Sequence, residues 1–107
     1  MGYIYLLMTN LGHEELYKIG VTKSNVQSRI KQLQTGNASK IQLLHVYESP
    51  HYMKIEKWLH VRFNLLQTES KNEWFKLSNQ DVSDFLKTCQ KGEEIIVFMK
   101  KNNPFFR

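Results

Sequence analysis

The sequence has 107 residues, 41% of them hydrophobic and 23% charged, which is the length and composition of one soluble globular domain. No run of 18 apolar residues occurs, so a transmembrane helix is excluded, and the apolar start lacks the basic region of a signal peptide. The single cysteine, Cys89, fits a reducing compartment. We therefore expect an intracellular protein, not secreted and not attached to a membrane, folded as one domain over residues 1–107.

The formal net charge of +5 is unevenly distributed along the chain. Eight lysines and arginines but only two glutamates lie between residues 16 and 62, whereas the remaining residues are close to neutral. Phosphate contacts by such cations release counterions, so a basic segment favours binding to a polyanion. A well-solvated surface without a partner is the alternative interpretation. The candidate nucleic-acid-binding lysines are Lys23, Lys31, Lys40 and Lys54.

Two short apolar runs at residues 3–8 and 16–21 predict two strands, since both are rich in tyrosine and isoleucine. Asn10 and Gly12 between them are turn formers, so the two strands are expected to form a hairpin. Asn37-Ala38-Ser39 is a formal glycosylation sequon, which we attribute to chance because no secretory signal is present.

A helix is predicted over residues 25–34, because Val26, Ile30 and Leu33 recur on one helical face. Ser24 or Asn25 is its expected N-cap, and Gly36 its expected left-handed C-cap. Residues 41–49 predict a third strand.

The second half of the chain predicts two more helices and two more strands. A strong amphipathic pattern predicts a helix over residues 51–66, and residues 73–77 form a short strand with a well-buried Trp74. Ser78 or Asn79 caps a helix that Gly92 ends. The β-rich run at residues 93–101 predicts a last strand. The order β-β-α-β-α-β-α-β indicates an α+β fold with a small, largely antiparallel sheet flanked by helices.

Several residues in this framework could carry chemistry. Tyr3 and Tyr5 share one face of the first strand, and Lys18 and Gly20 share a face of the second, with Tyr17 on the other side. Arg29 lies at the edge of the first helix's apolar stripe. Glu56 and His60, spaced i and i+4 on the second helix, form a plausible pair for a divalent ion. Each of these residues is more often an ordinary surface or packing residue.

The ordered set of these motifs resembles the GIY-YIG nuclease superfamily, in particular its phage- and virus-encoded branch that is often labelled a DNA-binding domain. Tyr3-Ile4-Tyr5 stands for GIY, and Lys18-Ile19-Gly20 for YIG, with lysine in place of the second motif tyrosine. The branch's further motifs match Arg29 through Asn37, Glu56 to Phe63, and Glu73-Trp74-Phe75. The motif-bearing core covers residues 2–77, and a C-terminal helix and strand are expected over 78–101.

The resemblance implies a metal-dependent DNA endonuclease with catalytic residues Tyr5, Lys18, Arg29 and Glu56. Tyr5 and Lys18 are expected side by side, facing Arg29 and Glu56 across one shallow cleft. Glu56 would hold one Mg²⁺ or Mn²⁺, Tyr5 with Lys18 would position a water, and Arg29 would stabilise charge on the phosphate. Weaker supporting positions are Tyr3, Tyr17, Gly20, His60 and Asn72, the last as the family's late asparagine. The alternative is a DNA-binding module of the same fold that has lost the chemistry. The sequence leaves the preference for DNA over RNA and the oligomeric state open, a dimer included.

Overall fold

The computed structural model describes residues 1–63 and 74–102. The elements in chain order are β1 (Gly2–Asn10), β2 (Glu15–Thr22), α1 (Val26–Thr35), β3 (Ile41–Ser49), α2 (Tyr52–Arg62), α3 (Asn79–Ser83) and α4 (Phe85–Asn102). The predicted α+β class is confirmed, with a three-stranded antiparallel sheet in the order β2-β1-β3. The first three strands and the first helix are also confirmed at nearly their predicted bounds, whereas the second helix is confirmed but ends earlier, at Arg62 with Phe63 as its C-cap.

The central strand β1 is apolar on both of its faces, because helices cover the sheet on both sides. We call the sheet face that carries Tyr5 and Leu7 the front face; α1 packs there through Val26, Ile30 and Leu33. We call the face that carries Ile4 and Leu6 the back face. Helices α2 and α4 pack on the back face through the residues of the larger core, which include Ile55, Leu59, Phe85, Cys89 and Ile96.

Local hydrogen bonds close the connections around the sheet. In the hairpin turn, Gly12 adopts a positive φ of 94°, and its backbone N–H donates to Asn10 Oδ1 at 2.7 Å. Asn25 is the N-cap of α1, and its Oδ1 accepts from the backbone N–H of Ser28. The capping prediction is therefore confirmed for Asn25.

The loop from α1 to β3 is fastened by one side chain. Gln34 donates from Nε2 to the carbonyl oxygens of Asn37 and Ser39, and its Oε1 accepts from the backbone N–H of Ile41 at 2.8 Å. Gly36 is the C-cap, but its φ of −95° is not left-handed, so that detail of the prediction is wrong. The side-chain amide of Gln34 satisfies the loop backbone and removes the need for a left-handed glycine.

The predicted strand at residues 93–101 is wrong, because α4 runs continuously from Phe85 to Asn102. Gly92 does not end a helix. A Cβ at Gly92 would lie 2.7 Å from Trp58 Cε3, so this glycine lets α2 and α4 approach closely. The predicted helix after Ser78 is confirmed as two segments, since Ser78 caps α3 with a capping box and Asp84 separates α3 from α4.

The predicted strand at 73–77 is reduced to one bridge in the described residues. Phe75 exchanges two backbone hydrogen bonds with Tyr17, of 2.8 and 2.9 Å, and so covers the outer edge of β2. Trp74 is half-buried rather than well buried. Residues 64–66 of the predicted second helix and residue 73 lie outside the described residues. Among the residues that the structure describes, no helix combines the length and apolar character needed to cross a membrane.

Candidate nucleic-acid interface and nuclease site

Tyr5 and Gly20 form one cross-strand unit on the front face. They are direct partners in the β1–β2 register, and Tyr5 is only 1% exposed. The tyrosine ring lies on the glycine, since a Cβ built at Gly20 would be 2.5 Å from Tyr5 Cζ and would also overlap the hydroxyl oxygen. Only glycine therefore leaves room for the ring at this position.

Lys18 lies on the same face as Tyr5, as the alternation of side chains along β2 predicts. Its direct partner is Leu7 and not Tyr5, so Lys18 and Tyr5 are diagonal neighbours rather than side by side. The Lys18 Nζ lies 5.9 Å from the centroid of the Trp74 ring. Lys18 thus brings a cation to the front face next to the Tyr5–Gly20 unit.

Tyr17 faces the opposite side of the sheet, where it belongs to the back-face core with 4% exposure. Its hydroxyl donates to Glu15 Oε2 at 3.0 Å. Burial, with a contribution from the hydrogen bond to Glu15, raises the pKa of Tyr17. Because the one-residue offset turns it to the back face, Tyr17 does not replace a tyrosine at position 18.

Arg29 lies on α1, the helix that covers part of the front face. Its side chain is exposed, and Nη1 donates to Gln32 Oε1 at 3.2 Å within the same helix. This single exposed hydrogen bond holds the guanidinium weakly, so it stays available to an anion.

Three of the predicted DNA-binding lysines, Lys23, Lys31 and Lys40, are exposed on or beside α1. The fourth, Lys54, is exposed on α2, the helix that packs on the back face. The predicted basic segment is therefore divided between the two sides of the sheet, with most of its candidate lysines near the front face.

Glu56 and His60 are neighbours on α2, with 3.8 Å between Glu56 Oε2 and His60 Nε2, and the two form an ion pair only when the imidazole is protonated. Their side chains are 25% and 43% exposed, so both can reach a ligand from solvent. One carboxylate and one imidazole, completed by waters and phosphate oxygens, fit a divalent ion. Within residues 1–63 and 74–102, no three His, Cys, Asp or Glu side chains cluster as a complete metal cage.

The four predicted catalytic residues are thus distributed over both sides of the sheet. Tyr5 and Lys18 lie on the front face, and Arg29 is on the helix above it, whereas Glu56 belongs to a helix that packs on the back face. The contacts of the described residues join Glu56 to His60 and Arg29 to Gln32, and none joins Glu56 to Arg29. Asn72 lies outside the described residues.

An open cleft of about 540 Å³ separates the N-terminus of α1 from the strands of the front face. Tyr3, Lys23, Leu43 and Val46 line it, together with the polar residues Ser24, Asn25 and Gln27. Tyr3 pairs with Glu48 across the strands, and the hydrogen bond to that carboxylate raises the pKa of Tyr3. The cleft combines an aromatic ring, apolar surface and a lysine, which are the groups that contact a nucleotide.

The model of one protein family, the T5orf172 domain, matches residues 2–90, most of the chain. The chain belongs to the T5orf172 family. This domain is found in phage and related proteins and has an endonuclease-like fold, which indicates a nuclease or a DNA-binding module. The curated proteins and the solved structures gave no significant match.

The sequence alone did not indicate several features of this T5orf172 domain. Leu43 and Val46 both line the cleft because β3 contains a β-bulge. The β1–β3 register shifts between Leu6 and Leu7, which leaves Leu44 without a direct partner. The contact between Lys18 and Trp74 joins residues far apart in the chain. No signal in the sequence reveals either feature, because both depend on tertiary register.

Proposed function

We propose that this T5orf172 domain is a metal-dependent DNA endonuclease of the GIY-YIG type that binds DNA over the front face. The observation that carries the proposal is the Tyr5 ring seated on Gly20 beside Lys18. This arrangement places a phenol and a cation on the sheet face that the α1 lysines flank. A phenol and an amine that lie together among cations are suited to a phosphodiester and unsuited to an apolar ligand.

In this proposal the lysines beside α1 bind DNA, and Arg29, Tyr5 and Lys18 act at the reacting phosphate. Lys23, Lys31 and Lys40 bind the phosphate backbone and set its register. Among the described residues Arg29 bonds to Gln32 at the exposed surface, and its guanidinium can exchange that bond for a bidentate contact with the scissile phosphate. The Tyr5 hydroxyl orients the attacking water, and Lys18 stabilises negative charge that develops next to it.

Glu56 and His60 are the residues that would hold Mg²⁺ or Mn²⁺, and the bound ion would supply Lewis-acid polarisation of a phosphate oxygen. The half-exposed Glu56 carboxylate supports this role, since its partner His60 is a weak competitor at 3.8 Å. The front face and α2 lie on different sides of the sheet. DNA that contacts both would have to pass around the edge of the sheet. This requirement makes the role of Glu56 the step most in need of a test.

The second candidate function is a DNA-binding module without cleavage. Two observations favour it: Tyr5 is 1% exposed, and Glu56 lies on a helix of the back face. The endonuclease and the module share the basic front face and differ only in chemistry.

A nicking assay on supercoiled plasmid separates the two functions. Wild type is incubated with Mg²⁺, Mn²⁺ or chelator, and DNA binding is measured in parallel. We expect nicking that requires the metal, and we expect Glu56→Gln to lose nicking while it keeps DNA affinity, because a charge near the phosphate is removed.

Glu14→Gln is the matched control, since Glu14 is also a partly exposed glutamate in an ion pair, with Lys76 at 3.0 Å. Its nicking should equal that of wild type. Full activity in Glu56→Gln would exclude the metal role of this carboxylate. A wild type that binds DNA but never cuts would establish the module.

A further inference from the structure

The outward face of α4 carries apolar side chains that the domain itself does not bury. The helix buries Phe85, Cys89, Gly92 and Ile96 on one side, toward the back-face core. At 100° per residue, Phe98 projects from nearly the opposite side, and it is 66% exposed. Val97 on the flank of the same face is 43% exposed and Leu86 41%. An aromatic ring this exposed, at a position that packing does not explain, marks an interaction surface.

A shallow groove lies next to Phe98 on the same surface, between α4 and β3. Its volume is about 480 Å³, and its walls include Tyr47, Gln90, Val97 and Phe98. The hydroxyl of Tyr47 donates to Glu93 Oε1 at 2.6 Å, so the floor of the groove is fixed and its polar atoms are satisfied. A projecting ring and an adjoining groove on one surface are complementary to a second copy of that surface.

The charges of this face are also self-complementary. Glu94 and Lys101 line the groove and lie seven residues apart, which is two helical turns or about 10.5 Å. In an antiparallel pair of α4 helices with the two-fold axis between Val97 and Phe98, Glu94 of each copy lies opposite Lys101 of the other. In a two-fold symmetric contact each such pair occurs twice. The same antiparallel register therefore aligns the Glu94–Lys101 pairs and the Phe98 rings.

We infer that the outward face of α4, defined by Gln90, Glu94, Val97, Phe98 and Lys101, is the contact surface of a homodimer. The two copies would associate through antiparallel α4 helices, with each Phe98 against the groove of the other copy. An acidic or basic partner would satisfy only one of Glu94 and Lys101, whereas a second copy in this register satisfies both.

The dimer surface lies on the opposite side of the sheet from α1 and the Tyr5–Gly20 unit. Association through α4 therefore leaves both front faces open, and it does not depend on the proposed nuclease function. A two-fold dimer would give this short chain two DNA-binding faces, which is how small domains extend the site they read.

Sedimentation equilibrium over a range of concentrations tests the inference, with circular dichroism as the check on folding. We expect wild type to dimerise and Phe98→Glu to raise the dimer dissociation constant at least about tenfold, the scale of a central aromatic contact. Val61→Glu is the control, because Val61 is a 78% exposed valine on α2, and its dissociation constant should equal that of wild type.

A charge-reversal cycle tests the antiparallel register. Glu94→Lys alone should weaken the dimer, Lys101→Glu alone should do the same, and the double variant should restore association because the two charges exchange places. A monomeric wild type would overturn the proposal, even if another partner covers Phe98. A dimer that survives Phe98→Glu, or a double variant no better than the single ones, would overturn it as well. None of these outcomes decides whether the front face binds or cuts DNA.

Discussion

Replacing Gly20 by alanine perturbs the centre of the candidate site with a single methyl group. The new Cβ would lie 2.5 Å from Tyr5 Cζ and 2.7 Å from Tyr5 Cε1, whereas carbon atoms rest about 3.5–4.0 Å apart. The ring would have to move by about 1 Å to restore that separation. Because Tyr5 is 1% exposed and packs with Leu7 and Ile41, it has little room to move.

The expected loss of stability follows from two opposing terms. Overpacking a well-packed core costs about 1–3 kcal/mol. Alanine returns about 0.4–1 kcal/mol, because it restricts the unfolded chain. The steric term is larger, so Gly20→Ala should destabilise the domain by about 1–2 kcal/mol, which lowers the midpoint of thermal unfolding by roughly 4–8 °C per kcal/mol.

Gly36→Ala is the matched control for this measurement. The nearest atom to a Cβ at Gly36 is Leu33 O at 4.0 Å, and the φ of −95° suits alanine. Thermal and urea unfolding of this control should show no loss of stability, and a gain of about 0.4–1 kcal/mol from the restricted unfolded chain.

A double-mutant cycle then assigns the cost to the ring. In a Tyr5→Leu background the methyl group has space, so the cost of Gly20→Ala should fall by at least about 1 kcal/mol. An unchanged cost in that background, or a Gly20→Ala variant as stable as wild type, would refute the close packing of Tyr5 on Gly20.

Two further predictions concern charge and the buried thiol. DNA affinity, measured by fluorescence anisotropy, should fall steeply as the salt concentration rises. Lys31→Glu, beside the front face, should weaken DNA binding, whereas Lys87→Glu on α4 should leave it unchanged. An affinity that does not respond to salt would contradict the basic interface. Burial raises the pKa of Cys89 to about 12, so the native thiol should resist a disulfide reagent at pH 8 and react after denaturation. Since the folded state holds this proton more tightly, stability should also fall as pH rises from the ordinary thiol range toward 12, and rapid modification of native Cys89 would contradict its burial.

Local patterns predicted the first three strands and the first two helices, because the apolar runs of the strands and a helical stripe such as Val26, Ile30 and Leu33 depend only on neighbouring residues. The continuation of the C-terminal helix past Gly92 was not predicted, since residues 93–101 have β-branched and aromatic side chains and follow a glycine. Gly92 is small because Trp58, from a different helix, packs against it. A contact between residues 34 positions apart leaves no local signature, and tertiary packing overrides the β-propensity of the segment.

The same distinction between local pattern and tertiary packing applies to the residues of the candidate site. Period-two alternation paired Tyr3 with Tyr5 and Lys18 with Gly20, and the β1–β2 register brings these two pairs to one face. The position of Glu56 depends on which face of the sheet α2 covers, and an amphipathic helix fits either face equally well by pattern. For this reason the sequence could predict one half of the site but not its relation to the other half.

Packing explains some of the motif residues on which the resemblance to nucleases is based. The motif residues that packing does not explain are informative about function. Gln34 fastens the α1–β3 loop, and Phe63 packs on Phe75 with 6.3 Å between ring centroids. Packing accounts for both of these residues in this chain, so they indicate the fold and not the chemistry.

Within residues 1–63 and 74–102, no contact gives Arg29 or Glu56 a comparable structural role. Arg29 holds one exposed hydrogen bond within its own helix, and the ion pair between Glu56 and His60 is partly exposed, so each contact contributes little to stability. Polar residues of a family motif that the fold does not require are the ones that function would explain. Measurements on Arg29 and Glu56 therefore bear on the chemistry of this T5orf172 domain, whereas measurements on Gln34 or Phe63 bear on its folding.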